Sequence, residues 1–175
     1  VDRVKHTPLH GTASHGHVDI AKVLIQNGAD VNAVDKWKRT ALHWAAENGY
    51  VEVAKVLIEN GADVNAVDRR KETALLIAAN YGRLDIVKAL VQNGADMNAV
   101  DSKRSTALHI AAWKGYVNVA EVLLENGADV NAVQKHKLTA MHIAAKEGHA
   151  DVAKVLIQNG ADVNAVNKHK FTALY

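Results

Sequence analysis

The chain has 175 residues, 49% apolar and 23% charged, with a formal net charge of +2, a composition that belongs to a folded globular protein and excludes a disordered chain. It contains no cysteine, which excludes disulfides and thiolate chemistry and makes the fold indifferent to redox compartment. With no apolar run of membrane-spanning length and no charged-then-apolar leader, the expectation is a soluble chain whose default location is cytoplasmic.

Thr7-Pro8-Leu9-His10 returns every 33 residues, as Thr40-Ala41-Leu42-His43, Thr73-Ala74-Leu75-Leu76, Thr106-Ala107-Leu108-His109, Thr139-Ala140-Met141-His142 and Thr172-Ala173-Leu174-Tyr175. Set on that threonine, the copies run 2–34, 35–67, 68–100, 101–133 and 134–166, with a partial copy at 167–175. A unit this short cannot bury a core alone, so the copies are expected to stack as one array over 1–175, each covering its neighbours' apolar faces.

Each copy reads as two helices and a turn. The first helix opens at the threonine, whose hydroxyl can accept from unpaired backbone amides, and Pro8 sits where a missing N–H costs nothing. It should run about ten residues, with Leu42, Ala45 and Ala46 of the second copy on one face, small enough for a neighbouring helix to approach closely. The second helix carries Val53-Ala54-Lys55-Val56-Leu57-Ile58 and stops at Asn60-Gly61; the same stop recurs at Gly28, Gly94, Gly127 and Gly160, where glycine can turn left-handed. The Ala-Asp-Val-Asn-Ala-Val that follows suits an extended excursion or hairpin into the next copy. In the first copy Gly11 and Thr12 replace an aliphatic residue and an alanine, and the glycine should cost about 1 kcal/mol. Polar capping repeats are missing from both ends, so fraying is expected there and the chain reads as part of something longer.

The patterns D-x-x-x-x-T-A-L-H-x-A-A-x-x-G and V-A-K-V-L-I-x-N-G-A-D-V-N-A together span essentially the whole chain and resemble the ankyrin repeat. The resemblance implies an all-α fold with β-hairpin fingers: a right-handed solenoid of antiparallel helix pairs, with the fingers projecting at right angles and a concave groove formed by fingers and first helices. Members of that family work by binding other proteins. The second helices are so alike from copy to copy that the chain is similar to consensus-designed or library-selected ankyrin binders. It departs from the family at the finger tip, where Lys5, Lys38, Lys71, Arg104, Lys137 and Lys170 replace the favoured glycine; a positive φ there would cost each of them about 1 kcal/mol.

Differences between copies concentrate at a few places. The third finger position reads Val4, Trp37, Arg70, Lys103, His136 and His169, and the fifth reads His6, Arg39, Glu72, Ser105, Leu138 and Phe171. The ends of the first helices vary as Ser14/His15, Glu47/Asn48, Asn80/Tyr81, Trp113/Lys114 and Lys146/Glu147, and the residue after the following glycine as His17, Tyr50, Arg83, Tyr116 and His149. The resemblance places all of these along the groove. A constant framework under a diversified surface is what recognition requires, and large rings beside cations are common binding anchors. The candidate partner-binding residues are therefore Trp37, Arg39, Trp44, Tyr50, Arg70, Tyr81, Arg83, Lys103, Trp113, Lys114, Tyr116, His136, Lys146 and His149. Trp44 stands where other copies carry Ile77, Ile110 and Ile143 and should be at least half core.

Most of the lysines and arginines fall in the first five positions of the copies, where the acids are Asp2, Asp35, Asp68, Glu72 and Asp101. Such a cationic finger row would steer an acidic partner toward the groove. His10, His43, His109 and His142 hold the family's helix-start position, where the ring resembles a brace between repeats. His15 and His17, with His6 nearby, have no cysteine or carboxylate set to complete a metal site, and Asp30-Val31-Asn32-Ala33-Val34-Asp35 lacks the glycine and glutamate of a calcium loop. With no phosphate loop, nucleophile elbow or zinc motif, no metal, cofactor or enzymatic activity is expected. The expected partner is a folded protein with an acidic surface, held by a monomer, with no small-molecule substrate and no membrane. Nucleic-acid binding through the fingers, or a natural scaffold or effector role, is the alternative.

Overall fold

The computed structural model describes residues 5–173. Among these, ten α-helices form five antiparallel pairs: α1 (Pro8–His15) with α2 (Val18–Gln26), α3 (Ala41–Asn48) with α4 (Val51–Glu59), α5 (Ala74–Asn80) with α6 (Leu84–Gln92), α7 (Ala107–Lys114) with α8 (Val117–Glu125), and α9 (Ala140–Glu147) with α10 (Ala150–Gln158). The predicted finger residues Asp2, Arg3 and Val4, and the predicted helix residues Leu174 and Tyr175, lie outside the described residues. The helices fall into two compact units divided between Ala95 and Asp96, with α1–α6 in the first and α7–α10 in the second.

In the first unit α3 packs between α1 and α5, and α4 between α2 and α6; in the second, α7 packs on α9 and α8 on α10. The first helices approach closely because their facing side chains are small: Ala45, Ala46, Ala78, Ala79, Ala111, Ala112 and Ala144 are all fully buried, leaving Leu42, Leu75 and Leu108 to fill the layer with Leu57, Leu90 and Leu123 of the second helices. In α2, Ile20 and Val23 are exposed, whereas their counterparts Val53, Ile86, Val119 and Val152 at the first position are buried, since α2 has a helix neighbour of its own layer on one side only. The first helices are eight residues long, and seven in α5, shorter than the ten expected from spacing, because a glycine or Asn80-Tyr81 closes each before the periodic pattern ends.

The histidine at the third position of a first helix joins one copy to the next. Nδ1 of His10, His43, His109 and His142 accepts from the backbone N–H of the capping threonine at 3.1, 3.1, 3.3 and 3.3 Å and lies 2.8–2.9 Å from its hydroxyl. With Nδ1 occupied as an acceptor, Nε2 carries the proton and donates to the carbonyl of Arg39, Glu72, Leu138 or Phe171, 29 residues on, at 2.9–3.2 Å. In the third copy Leu76 stands there, and Thr73 Oγ1 accepts from its N–H at 3.3 Å.

The fingers are turns and not the β-hairpins expected by resemblance: no strand occurs among the described residues. Each closes over five residues, too few for a paired ladder, and the aspartate at the first position takes over the work of cross-strand bonds. Asp35 Oδ1 accepts from the N–H groups of Trp37 and Arg39 at 2.8 and 2.9 Å, while Asp35 N–H donates to the Arg39 carbonyl at 3.0 Å. Asp68, Asp101 and Asn167 do the same in their copies. The turn puts the fourth residue in the left-handed region, with φ between 53° and 66° at Lys5, Lys38, Lys71, Arg104, Lys137 and Lys170. In the fifth copy Gln134 replaces the aspartate. Its longer side chain instead accepts from Ser105 Oγ at 2.6 Å, and the finger winds into a short 3-10 turn (Lys135–Lys137) with His136 also left-handed at φ 67°.

Burial, the largest influence, holds His10, His43 and His109 below the ordinary imidazole range. The unfolded imidazoles protonate near about pH 6.5, above the folded ones, so the stability they contribute is complete above that value and is lost as pH falls through the lowered folded values. Denaturation midpoints should therefore drop between about pH 7.5 and pH 5, with a flatter dependence in a His43→Leu/His109→Leu chain, which copies the third repeat. An unchanged slope in that variant would refute the neutral brace. In α1, a Cβ added at Gly11 meets nothing within 4 Å, so Gly11→Ala should stabilise that helix by about 1 kcal/mol, read as slower amide exchange across α1.

Candidate functional site

In the first unit, α3 and the fingers before α3 and α5 bring Trp37, Arg39, Trp44 and Arg70 together around a cavity of about 350 Å³ lined by these four with Asp68 and Arg69. Arg39, read from sequence as a surface cation, is buried. Its Nη1 meets Glu47 Oε2 at 2.5 Å, its Nε lies 4.0 Å from Asp68 Oδ2, and its guanidinium sits 4.8 Å over the Trp44 ring. Trp44, half-buried as its register implied, donates from Nε1 to Asp35 Oδ2 at 3.2 Å and meets Trp37 edge-on at 6.4 Å between centroids. Tyr81 donates to Glu47 Oε1 at 3.1 Å, and burial, then the Glu47 carboxylate, pushes its phenol up. Arg70 pairs with Glu72 at 2.7 Å and lies 3.8 Å from Asp68. Glu47, absent from the candidate set, is the hub that joins Arg39 to Tyr81.

The residues after the first-helix glycines have a second role that spacing did not reveal. A Cβ built on Gly16 would stand 2.6 Å from the Tyr50 ring, and one on Gly115 would stand 2.7 Å from the His149 ring. Each side chain lies flat over the preceding copy's glycine, where no other residue leaves room. Arg83 covers the second copy likewise and donates to the Glu47 carbonyl at 3.3 Å, as His149 Nε2 does to the Trp113 carbonyl at 3.1 Å. These residues therefore join copies as well as facing outward.

In the second unit, Lys103, Trp113 and Lys146 border a cavity of about 280 Å³ whose lining includes Ser105, Ile110, Gln134, Leu138, Ile143 and Glu147. Lys114 lies 4.1 Å over the Trp113 ring, and Lys146 pairs with Glu147 at 3.3 Å. His136 is exposed at the finger, and Tyr116 is half-buried. Ile110 and Ile143 are not among the candidates because an aliphatic residue at a core register reads as core, and Leu138, at a variable finger position, is not among them because it carries neither a ring nor a charge. The signal for them is Ser105, a small residue where the second copy carries an arginine.

Trp37, Tyr50, Tyr81 and Trp113 are 41%, 37%, 44% and 51% exposed, so large rings stand at the surface beside cations in both units. Asp35 and Asp68 are buried inside their turns, while Lys36, Lys38, Arg69, Arg70 and Lys71 of the same fingers are exposed. The fingers thus show outward mostly their positive charge. Among the described residues no group of three or more histidine, aspartate or glutamate side chains is placed to hold a metal, and no helix is long and apolar enough to cross a membrane.

A family model described as ankyrin repeats in three copies matches residues 1–68 and 65–134, and another described as ankyrin repeats in many copies matches 123–174. Among curated proteins, alpha-latrocrustotoxin-Lt1a of Latrodectus tredecimguttatus is 56% identical over 32 residues, which is 18% of this chain and 2% of the toxin. Ankyrin repeat domain-containing protein 49 of Bos taurus is 54% identical over 33 residues, 19% of this chain and 14% of that protein. The matches thus span one repeat's length and a small part of either relative.

The candidate residues of the first unit divide into two kinds by their contacts. Arg39→Ala removes the buried cation between Glu47 and Asp68, leaving Glu47 with Tyr81 and Asp68 with Arg70 and its own turn, and should destabilise by roughly 2 kcal/mol, whereas Trp37→Ala should stay within about 0.5 kcal/mol of the parent. Urea unfolding of the two variants checks this, and equal losses would contradict it.

Proposed function

The chain belongs to the ankyrin repeat family, and we propose that it is a non-enzymatic protein-binding module of the engineered or selected kind. On this reading it holds a folded, partly acidic protein surface as a monomer and inhibits that protein by occupying its site. The observation that carries the proposal is the contrast between a framework repeated almost residue for residue and exposed rings at registers that vary between copies: Trp37, Tyr81 and Trp113. Changes at such positions leave packing intact, which allows a surface to be diversified without loss of the fold. Rings with few rotors bury much area on contact at small entropic cost, and the exposed cations beside them favour an acidic partner and speed its arrival.

Because the finger aspartates are turned inward, a second reading remains physically coherent: the exposed basic row could follow a nucleic-acid backbone. The two readings differ in salt response. Backbone binding loses affinity steeply and linearly on a logarithmic salt scale, while a ring-anchored protein contact loses mainly association rate.

The test is capture of partners by the full chain, followed by affinity measurement with a Trp37→Ala/Tyr81→Ala/Trp113→Ala chain of unchanged melting temperature. Loss of at least about thirtyfold in affinity for one protein is expected. Retained affinity would reject these anchors. Salt-sensitive binding of duplex DNA with no protein captured would reject the protein-binding reading.

A further inference from the structure

We infer that the cavity of the second unit receives one apolar side chain of the partner, an aromatic ring in preference, together with a carboxylate adjoining it. The inference rests on the protein-binding reading above and specifies what that unit recognises.

The argument comes from comparing the same register in the two units. In the first, Arg39 pairs with Glu47 and lies over the Trp44 ring, and the cavity of about 350 Å³ beside them is walled by the charged side chains of Arg39, Asp68, Arg69 and Arg70 together with Trp37 and Trp44. Two copies on, the corresponding residues are Ser105, Ile110 and Trp113, and Leu138 and Gln134 stand where Glu72 and Asp68 stood. Replacing an arginine by serine and two carboxylates by leucine and glutamine removes the charge from the walls, and an isoleucine takes the place of the indole. What remains is the cavity of about 280 Å³, with Ile110, Leu138 and Ile143 as its apolar lining and the half-exposed Trp113 ring at its side.

The polar atoms around it are already satisfied. Ser105 Oγ donates to Gln134 Oε1 at 2.6 Å, and His109 and His142 are held in their braces. The lining therefore offers little to a polar group and favours an apolar one. Its volume lies at or below the lower end of the roughly 300–1,000 Å³ of small-molecule sites, which suits a single large side chain better than a cofactor. At the rim the charge is uneven: Lys146 pairs with its neighbour Glu147, and Lys103, exposed at the finger, makes no ion pair among the described residues. A carboxylate next to the inserted ring is the group that complements Lys103.

The probe is indole-3-propionate, a ring and a carboxylate on one short tether, titrated into the full chain labelled at isoleucine and leucine methyls and at nitrogen. Saturable shifts at Ile110, Leu138, Ile143 and the Trp113 indole N–H are expected, with a dissociation constant on the order of 1 mM for so small a ligand. Indole-3-propionamide should bind roughly three- to tenfold more weakly, and Lys103→Glu/Lys146→Glu should cause a similar loss, in keeping with exposed charge contacts. Ile110→Trp imports the ring of the first unit and should abolish the shifts; if that variant fails to fold, the two exposed lysine substitutions still decide the matter. Shifts centred on Trp37, or no saturation, would overturn the cavity, and equal binding of acid and amide would overturn the carboxylate. A captured partner that binds Ile110→Trp and the parent equally would overturn this inference while leaving protein binding in place. Saturable probe binding with no protein partner captured would count against the protein-binding reading alone.

Discussion

A neutral imidazole held between the start of one helix and the finger that opens the next copy governs the register of each unit. His43 shows the logic: Nδ1 accepts from Thr40 N–H and Nε2 donates to the Glu72 carbonyl. The first contact fixes the ring's tautomer and the second uses it, so the helix start and the next finger cannot shift independently. Such bonds contribute only about 1 kcal/mol each, but a buried donor left unpaired costs more than a formed bond yields. The brace therefore penalises wrong registers more strongly than it rewards the right one. Its consequence for recognition is geometric, since the fifth finger residue, where copies differ most, sits on the carbonyl that the histidine holds.

The parts legible in the sequence were those set by local and periodic chemistry. The threonine start, the alanine face and the glycine stop all act within a few residues, and repetition confirmed each. Three features were hidden for different reasons. The finger's shape followed from Asp35 accepting two amides of its own turn, which a count of charges registers only as an acid among cations. The burial of Arg39 depended on Glu47 eight residues on and Asp68 in the next copy, a pairing that exists only after stacking. The seat of Tyr50 over Gly16 and of His149 over Gly115 is likewise a contact between copies, so variable positions that looked free for recognition proved to be partly structural.

The two units solve the same surface differently. In the first, Arg39 is held inside by Glu47 and Asp68, which leaves Trp37 and Tyr81 on a ledge whose outward charge is that of Lys36, Lys38, Arg69 and Lys71. Groups already held in place lose little freedom when a partner arrives, so what this ledge offers is preorganised area. In the second, Ser105 and Ile110 leave a hollow and Lys103 has no internal counter-charge. A partner there meets a site that is incomplete without it, and its affinity would depend on filling the hollow, not merely on touching its rim.

The finger tips carry a conformational cost that the sequence retains in every copy. A left-handed lysine or arginine is disfavoured by about 1 kcal/mol relative to the right-handed region, and glycine would relieve it. The aspartate makes that cost tolerable by accepting the two neighbouring amides, and the fifth copy shows the limit of the arrangement. There Gln134 does not cap the turn and His136 joins Lys137 in the left-handed region, while the His136 carbonyl accepts from Lys168 N–H at 2.8 Å, as the Trp37 carbonyl accepts from Arg69 N–H at 3.0 Å. The side chain at each tip stays outward and positive. A framework chosen for stability alone would place glycine at those tips; a framework that keeps the cation there accepts strain in the turn to hold a basic edge beside the exposed rings.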